Sequence, residues 1–229
     1  MTGRRAQIRA ENVSSIKAHA RLQIAEKGAN NLSLREIARD MGLASSALYR
    51  YFESRDQLLT ELIVDSYDQI GLIVETADAS CERDDLIGRW TAMAHAIRQW
   101  ALDYTSDYAL IFGTPVPGYA APDTTVEPGR RYTNALLQLL HDVHENSFES
   151  KMHLPSTKGI IGEYKKVQSH LGLKIPNDLL MSGLAAWAAL FGAISFEVFG
   201  HVDSVFTNPE IHFVALTQLL GTQVMGLSH

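Results

Sequence analysis

The chain lacks the features that mark secreted or intrinsically disordered proteins. It has one cysteine, Cys81, in 229 residues, which excludes an intrachain disulfide and is typical of a reducing compartment. No apolar segment follows Arg4 and Arg5, so we expect no signal peptide and a cytoplasmic location. A composition that is 46% hydrophobic and 20% charged is ordinary for a globular protein.

Motifs of catalysis are also missing. The sequence has no glycine-rich phosphate loop, nucleophile elbow or zinc-hydrolase pattern. We therefore expect that the protein is not an enzyme and that it has neither catalytic residues nor a cofactor. His141 and His144 share a helical face and could chelate a metal, but no third ligand can be placed. Solvated surface histidines are the alternative, and we predict no metal site.

Positive charge is scarce overall but concentrated at the front of the chain. The net charge of −6 alone argues against a nucleic-acid partner. Residues 1–55, however, carry ten Lys and Arg against five Asp and Glu, whereas residues 56–229 carry ten against twenty-one. A basic module joined to an acidic remainder is expected if only the front of the protein meets phosphate.

Two short helices that meet at a glycine are predicted between Ser33 and Phe52. The first has apolar residues at i, i+3, i+4 and i+7, namely Leu34, Ile37, Ala38 and Met41. Ser33 and Glu36 predict a capping box at its start, and Gly42 is a left-handed residue at its end. Ser45 and Ser46 then begin a second helix, so the pattern is a helix-turn-helix.

The segment from about residue 16 to residue 62 carries an ordered set of motifs: Glu26-Lys27-Gly28, the run Ser33 to Ala38, the Gly42 turn, Leu48-Tyr49-Arg50-Tyr51-Phe52, and Arg55-Asp56-Gln57-Leu58-Leu59. With these motifs the segment resembles the TetR family of transcriptional regulators. The chain departs from the family pattern at Ala44, where many members carry Ser or Thr, and at Tyr51, where many carry His. The resemblance implies double-stranded operator DNA as a partner.

Position by position, the resemblance implies a set of DNA contacts: Ser33, Ser45, Ser46, Tyr49, Arg50, Tyr51 and Arg55. On chemical grounds we predict that Tyr49, Tyr51, Ser33 and Arg55 hold phosphates, while Ser46 and Arg50 reach base edges. Packing of Tyr51 against the amino-terminal helix is the alternative for that residue. Residues 1–11 lack apolar periodicity and predict a mobile basic arm, which either contacts DNA or contacts nothing.

The remainder of the chain predicts an all-α protein. We expect a helix-turn-helix domain at residues 1–55 and an effector-binding and dimerisation domain at residues 56–229. A helix that begins after Ser54 continues to about Glu75 without a proline, so it joins head and body continuously. Two loops are predicted in this part of the chain. One is the proline- and glycine-rich segment at residues 113–123, and the other is residues 147–159.

Aromatic residues around the proline-rich loop predict a pocket for a small, apolar or amphipathic effector. Its candidate lining residues are Trp90, Met93, Trp100, Tyr104, Tyr108, Phe112 and Tyr119. The alternative is that these side chains, which recur at helical spacing, simply form the core.

The closing helices, at about residues 177–201 and 208–225, predict a dimer interface. Residues 179–199 carry one charge, Glu197, and are long enough to span a membrane. No Lys or Arg flanks the segment closely, so we favour a helix apolar on two sides that packs on its own body and on a second copy. The candidate interface residues are Leu184, Trp187, Ala188, Phe191, Ser195, Phe199, Val214 and Leu220.

Together these features predict an all-α homodimer that acts as a transcriptional repressor, releases a palindromic operator when a small effector binds, and has no membrane partner. An activator of the same architecture is one alternative. A small-molecule-binding or enzymatic helical protein whose basic front is incidental is the other.

Overall fold

A computed structural model of the chain describes residues 2–146, 159–169 and 171–227, and all regular structure within them is helical. The α-helices of this part are α1 (Thr2–Lys27), α2 (Leu34–Asp40), α3 (Ser45–Leu48), α4 (Arg55–Ala79), α5 (Leu86–Asp103), α6 (Thr105–Phe112), α7 (Val126–Glu145), α8 (Ile160–Ser169), α9 (Asn177–Val198) and α10 (Pro209–Leu219). The all-α prediction is confirmed. Residues 147–158 of the predicted second loop lie outside the described residues.

The chain divides into two compact units. The head unit comprises Met1–Asp68 and Tyr104–Pro128, and the body unit comprises Gln69–Asp103 and Gly129–His229. The head unit therefore extends past the predicted division at residue 55, which falls at the start of α4. It also includes α6 and the proline-rich loop, which are remote in sequence from the helix-turn-helix.

The core of the head unit forms where α1 to α4 meet. Ile16, Ile37, Leu48 and Phe52 are fully or almost fully buried there. The chain turns sharply between α2 and α3 because Gly42 adopts a φ of 67°, a conformation that a side chain disfavours. These contacts fix the two helices of the motif against α1.

The first helix is longer than predicted. It begins at Thr2, so the expected mobile arm at residues 1–11 is wrong for the described part of that segment. The segment has no apolar periodicity, but Arg, Ala and Gln have high intrinsic helix propensity and no proline interrupts them. Residues 3–11 are exposed along this extension.

A buried carboxylate fixes α6 within the head unit. Asp107 Oδ1 accepts hydrogen bonds from Arg21 Nε on α1 at 2.9 Å and from Ser66 Oγ on α4 at 2.7 Å. Val116 and Tyr119 of the proline-rich loop pack against the head core, and the hydroxyls of Tyr119 and Thr60 lie 2.9 Å apart. The loop thus belongs structurally to the head.

The body unit is built around α5, α9 and α10. Trp90 Nε1 donates to the carbonyl of Thr217 at 2.9 Å, which ties α5 to α10. Gly183 of α9 lies so close to Leu140 of α7 that a Cβ there would collide with the leucine side chain. The last predicted helix is shorter than expected, since α10 ends at Leu219 and the chain continues as a π turn at Leu220–Val224.

Candidate DNA-binding surface, effector site and dimer face

The segment from Ser45 to Phe52, which we call the recognition segment, presents polar side chains on an anchored backbone. The regular part of α3 is a single helical turn. The backbone N–H groups of Tyr51 and Phe52 continue this turn, because they donate to the Leu48 carbonyl at 2.8 and 3.0 Å. Leu48 and Phe52 are fully buried, so they hold the segment in place. The side chains left exposed are Ser45, Ser46, Tyr49 and Arg50. Hydroxyls, a phenol and a guanidinium suit phosphates and base edges.

The start of α2 is organised by a glutamine that the sequence analysis did not identify. Ser33 Oγ accepts a hydrogen bond from Glu36 N at 3.4 Å, as the predicted capping box requires. The reciprocal bond is different, because Ser33 N donates to Gln23 Oε1 at 2.7 Å. Glu36 instead accepts from Gln23 Nε2 at 2.6 Å and from Lys27 Nζ at 2.8 Å. The capping box is therefore half formed, and Gln23 of α1 completes it.

This cluster changes the titration of its charged members. The hydrogen bond from Lys27, followed by the charge of Lys27, lowers the pKa of Glu36 below its ordinary value. The same hydrogen bond raises the pKa of Lys27. Both groups therefore stay charged over a wider pH range than their ordinary pKa values allow.

Tyr51 is held by α1. Asn12 Nδ2 donates to its hydroxyl at 2.9 Å, and the guanidinium carbon of Arg9 lies 5.3 Å from its ring centroid. Because the hydroxyl oxygen accepts this bond, its proton is free to donate outward. Packing on α1 and a phosphate contact are therefore compatible for this residue.

Arg55 is engaged within the chain. Its Nη2 donates to the carbonyls of Ala29 and Asn30 at 3.0 and 3.3 Å, and its Nη1 contacts Asp56 at 3.3 Å. These bonds satisfy carbonyls just after α1. The role of Arg55 as a phosphate contact stays a prediction, like the other DNA contacts.

The seven candidate effector residues are divided between the two units. Tyr104, Tyr108, Phe112 and Tyr119 belong to the head unit, where the rings of Tyr108 and Phe112 lie 5.0 Å apart. Trp90, Met93 and Trp100 are buried in the body unit. Neighbours in sequence around the loop thus pack in different units, because α6 turns back to α1.

The body unit also contains an aromatic cluster that the sequence did not indicate. Trp187 stacks on Tyr132 with centroids 6.2 Å apart, and it contacts Phe191 and Trp90 at 5.4 and 6.1 Å. The buried indole nitrogen Nε1 of Trp187 has no hydrogen-bond partner among the described residues. Tyr132 is the only aromatic residue of α7, and nothing in its local pattern indicated this role.

Helices α9 and α10 carry a large share of the exposed apolar residues of the body unit, and we call this surface the α9–α10 face. Its exposed members are Ala185, Ala188, Ala189, Phe196, Phe199, Ile211, Val214, Ala215 and Leu219. A groove of about 670 Å³ is lined by residues of both helices and of the segment between them, including Gly192, Phe196 and His212.

The predicted interface residues fall into three groups on this surface. Ala188, Phe199 and Val214 are exposed, whereas Leu184, Phe191 and Ser195 are half-buried. Trp187 and Leu220 are buried within their own chain. Those two side chains therefore offer little accessible surface to a second copy. More accessible surface belongs to Ile211 and Leu219, which were not among the predicted interface residues.

Comparison with known proteins identifies the family. Residues 16–62 match a family model whose description is "bacterial regulatory proteins, tetR family". The model described as tetracyclin repressor-like, C-terminal domain, matches residues 90–220, more than half of the chain. The chain belongs to the TetR family. It is accordingly a DNA-binding transcriptional regulator.

Individual proteins and solved structures match along nearly the whole chain. The HTH-type transcriptional regulator Rv1816 of Mycobacterium tuberculosis is 34% identical over 225 residues, 95% of this chain and 94% of the relative. The crystal structure of regulatory protein SCO4313 is 35% identical with a TM-score of 0.73, covering 96% of this chain and 98% of that one. The TetR-family regulator PfmR of Thermus thermophilus, 16% identical with a TM-score of 0.59 over 93% and 99%, shares the fold.

Two further features of this TetR-family chain concern metal binding and membrane association. Among the described residues, no group of three or more His, Cys, Asp or Glu side chains is placed to hold a metal ion. By length and composition alone, α9 could cross a membrane, and 44% of its most apolar window is buried inside the protein. Regulators of this family are soluble proteins that bind operator DNA as dimers, which implies a cytoplasmic location.

Proposed function

We propose that this chain is a homodimeric repressor that binds a palindromic operator and releases it when a small, largely apolar effector binds the body unit. The observation that carries the DNA-binding part is the set of exposed side chains Ser45, Ser46, Tyr49 and Arg50 on a buried Leu48 and Phe52 anchor. In this proposal Tyr49, Tyr51 and Ser33 contact phosphates, and Ser46 and Arg50 contact base edges.

The α9–α10 face supports the homodimer. Large contiguous apolar surfaces are rare on soluble monomers and mark interaction sites. A homodimer joined at this face would carry two recognition segments, one for each half-site of a palindrome. Half-sites one helical turn apart, about 34 to 36 Å or a multiple of it, would then be read together.

The aromatic cluster around Trp187 supports an effector with an apolar body and one hydrogen-bond acceptor. A buried N–H group without a partner costs about 1–3 kcal/mol, and an acceptor atom on a ligand would remove that cost. The effector can release DNA only through its differential affinity for the two dimer states. The helix α4, unbroken from Arg55 to Ala79, contributes residues to both units and is the element through which we expect the change to act.

Salt-dependent DNA binding tests the regulator proposal. The probe is DNA from upstream of the protein's own coding sequence, and the variants are Tyr49→Ala and Tyr104→Ala. The two tyrosines are matched, because their exposed fractions are 46% and 44%, and Tyr104 lies in the connection between α5 and α6. We expect Tyr49→Ala to weaken binding and flatten its salt dependence, and Tyr104→Ala to bind like wild type.

The rival class, a helical protein whose basic head is incidental, predicts a different outcome. Wild type and Tyr49→Ala would then bind upstream and random DNA equally weakly. An activator would pass the binding test but would raise transcription of its target promoter in a reconstituted assay, whereas a repressor would lower it. A thermal-shift screen of hydrophobic metabolites tests the effector, whose stabilisation should grow with ligand concentration and fall in Trp187→Phe.

A further inference from the structure

The first three turns of α1 form a basic extension beside the recognition segment. Arg5, Arg9 and Asn12 follow each other at i, i+4 and i+7, so they share one face of this helix. We call this face the Arg5–Asn12 stripe, and we propose that its two arginines bind the phosphate backbone of duplex DNA that flanks each half-site. The proposal rests on the proposed DNA-binding function and adds a second contact surface to it.

Contacts within the head unit place the stripe next to the recognition segment. Arg9 Nη1 donates to the carbonyl of Arg50 at 3.3 Å, and its guanidinium lies over the ring of Tyr51. Asn12 Nδ2 donates to the Tyr51 hydroxyl at 2.9 Å. The stripe therefore begins where the predicted DNA contacts end, and it continues them away from α3.

The charge of Arg5 is available to an external partner. Arg5 is exposed and makes no ion pair or hydrogen bond with the described residues. Glu11, the acidic residue of this extension, lies on another face and accepts a hydrogen bond from Gln7 at 3.0 Å. Arg5 thus presents a cation that the chain itself leaves unneutralised.

Duplex DNA is the partner that fits this arrangement. Arginine guanidinium groups bind phosphate oxygens through charge-assisted hydrogen bonds, and an exposed helix can follow the backbone without entering a groove. Arg5 and Arg9 are four residues apart, about 6 Å along a helix axis, so they can neutralise different phosphates. Because the extension is helical in the free protein, little ordering entropy opposes the contact.

Arg4 provides a matched control for Arg5. It is also exposed, it carries the same charge and makes no ion pair among the described residues, and a helical step of about 100° turns it away from the stripe. Alanine is the best helix former, so neither Arg4→Ala nor Arg5→Ala should unfold this exposed segment. Unchanged far-ultraviolet circular dichroism would verify that.

The experiment measures the affinity of the full chain for one operator fragment, with ten flanking base pairs on each side, across a series of salt concentrations. Arg5→Ala should lower affinity several-fold and reduce the slope of log K against log salt by about 0.9 per lost phosphate contact, whereas Arg4→Ala should keep the wild-type slope. Trimming the flanks should then remove the difference between Arg5→Ala and wild type.

Two results would overturn the inference: equal slopes for Arg4→Ala and Arg5→Ala, or an Arg5→Ala effect that survives removal of the flanks. Tyr49→Ala, measured in the same series, separates this failure from failure of the proposed function. If Tyr49→Ala loses binding while both arginine variants behave alike, the recognition segment binds DNA and the stripe does not. If Tyr49→Ala binds like wild type, the proposed function itself is wrong.

Discussion

Arg98 and Glu197 form a bidentate ion pair that links α5 to α9 inside the body unit. Nε and Nη2 of Arg98 donate to the two carboxylate oxygens of Glu197 at 2.8 and 2.6 Å. The hydrogen bond to Glu197 is the largest cause of the raised pKa of Arg98. Glu197 is the one charge in the apolar segment that resembles a membrane span, and its partner lies on another helix of the same unit.

Removing one partner of this pair should destabilise the protein strongly. Glu197→Ala leaves the guanidinium of Arg98 almost buried without its carboxylate, and such a loss costs about 3–5 kcal/mol. Glu163→Ala is the control, because it breaks the exposed pair with Lys166 and should cost at most about 0.5 kcal/mol. Urea unfolding at fixed protein concentration measures both. Similar small losses would show that the Arg98–Glu197 pair contributes little.

The Glu36 cluster predicts a pH-dependent contribution to stability. Glu36 has a lowered pKa in the folded state, so the unfolded state binds its proton more readily. The stabilisation is therefore present above the ordinary glutamate pKa of 4.5 and is lost as pH falls through the lower folded value. Glu36→Gln should be less stable than wild type at pH 7, and the difference should disappear in acid.

The matched control for Glu36 is Glu53→Gln, an exposed glutamate of the head unit whose side chain has no partner among the described residues. Its difference from wild type should not change with pH in the way that the Glu36→Gln difference does. Thermal unfolding at a series of pH values compares the three proteins. A Glu36→Gln difference that grows on acidification would contradict the lowered pKa.

Gly42 should resist substitution for a reason that concerns the backbone alone. A Cβ at this residue would meet no atom within 4 Å, but its φ is 67°. Gly42→Ala should therefore destabilise the head by about 1–2 kcal/mol. Gly162→Ala in α8 has equal space and an ordinary helical φ, so it should stabilise by about 0.5–1 kcal/mol. Chemical unfolding should therefore show changes in the free energy of unfolding of opposite sign for the two variants. Changes of the same sign would contradict the requirement for glycine at this turn.

Asn12 should act on DNA binding through Tyr51. Tyr51→Phe removes the hydroxyl and should weaken operator binding by about 0.5–1.5 kcal/mol. Asn12→Ala should weaken binding in the wild-type background, because the hydroxyl loses the donor that orients it. In the Tyr51→Phe background Asn12→Ala should have little further effect, which a double-mutant cycle measures. Fully additive losses would mean that Asn12 does not work through this hydroxyl.

Local patterns in the sequence predicted the helix-turn-helix well. The apolar spacing from Leu34 to Met41 and the position of Gly42 are short-range signals, and the structure places both as expected. The long helix after Ser54 and the apolar helix from Asn177 were also predicted with nearly correct starts. These features depend on residues that are neighbours in the chain.

Features that depend on distant residues were missed. The contact between Arg21 and Asp107 joins residues 86 positions apart, and no local pattern indicates that α6 packs with the head. For the same reason, aromatics near the proline-rich loop were grouped into one pocket although they belong to two units. Periodicity likewise marked both sides of α9 as apolar but did not show that Trp187 faces its own body.

The central claim, that two copies joined at the α9–α10 face read one palindrome, is tested most directly by footprinting combined with sedimentation of the protein–DNA complex. Ile211→Glu places a charge on this face, and Ile161→Glu in α8 is its control, since the exposed fractions of the two isoleucines are 68% and 53%. Wild type and Ile161→Glu should sediment as two chains per duplex and protect two half-sites about 10 base pairs apart or a multiple of that. Ile211→Glu should sediment as a monomer and bind the palindrome far more weakly. A monomeric wild type that protects a single site, or an Ile211→Glu variant with wild-type mass and affinity, would contradict the claim.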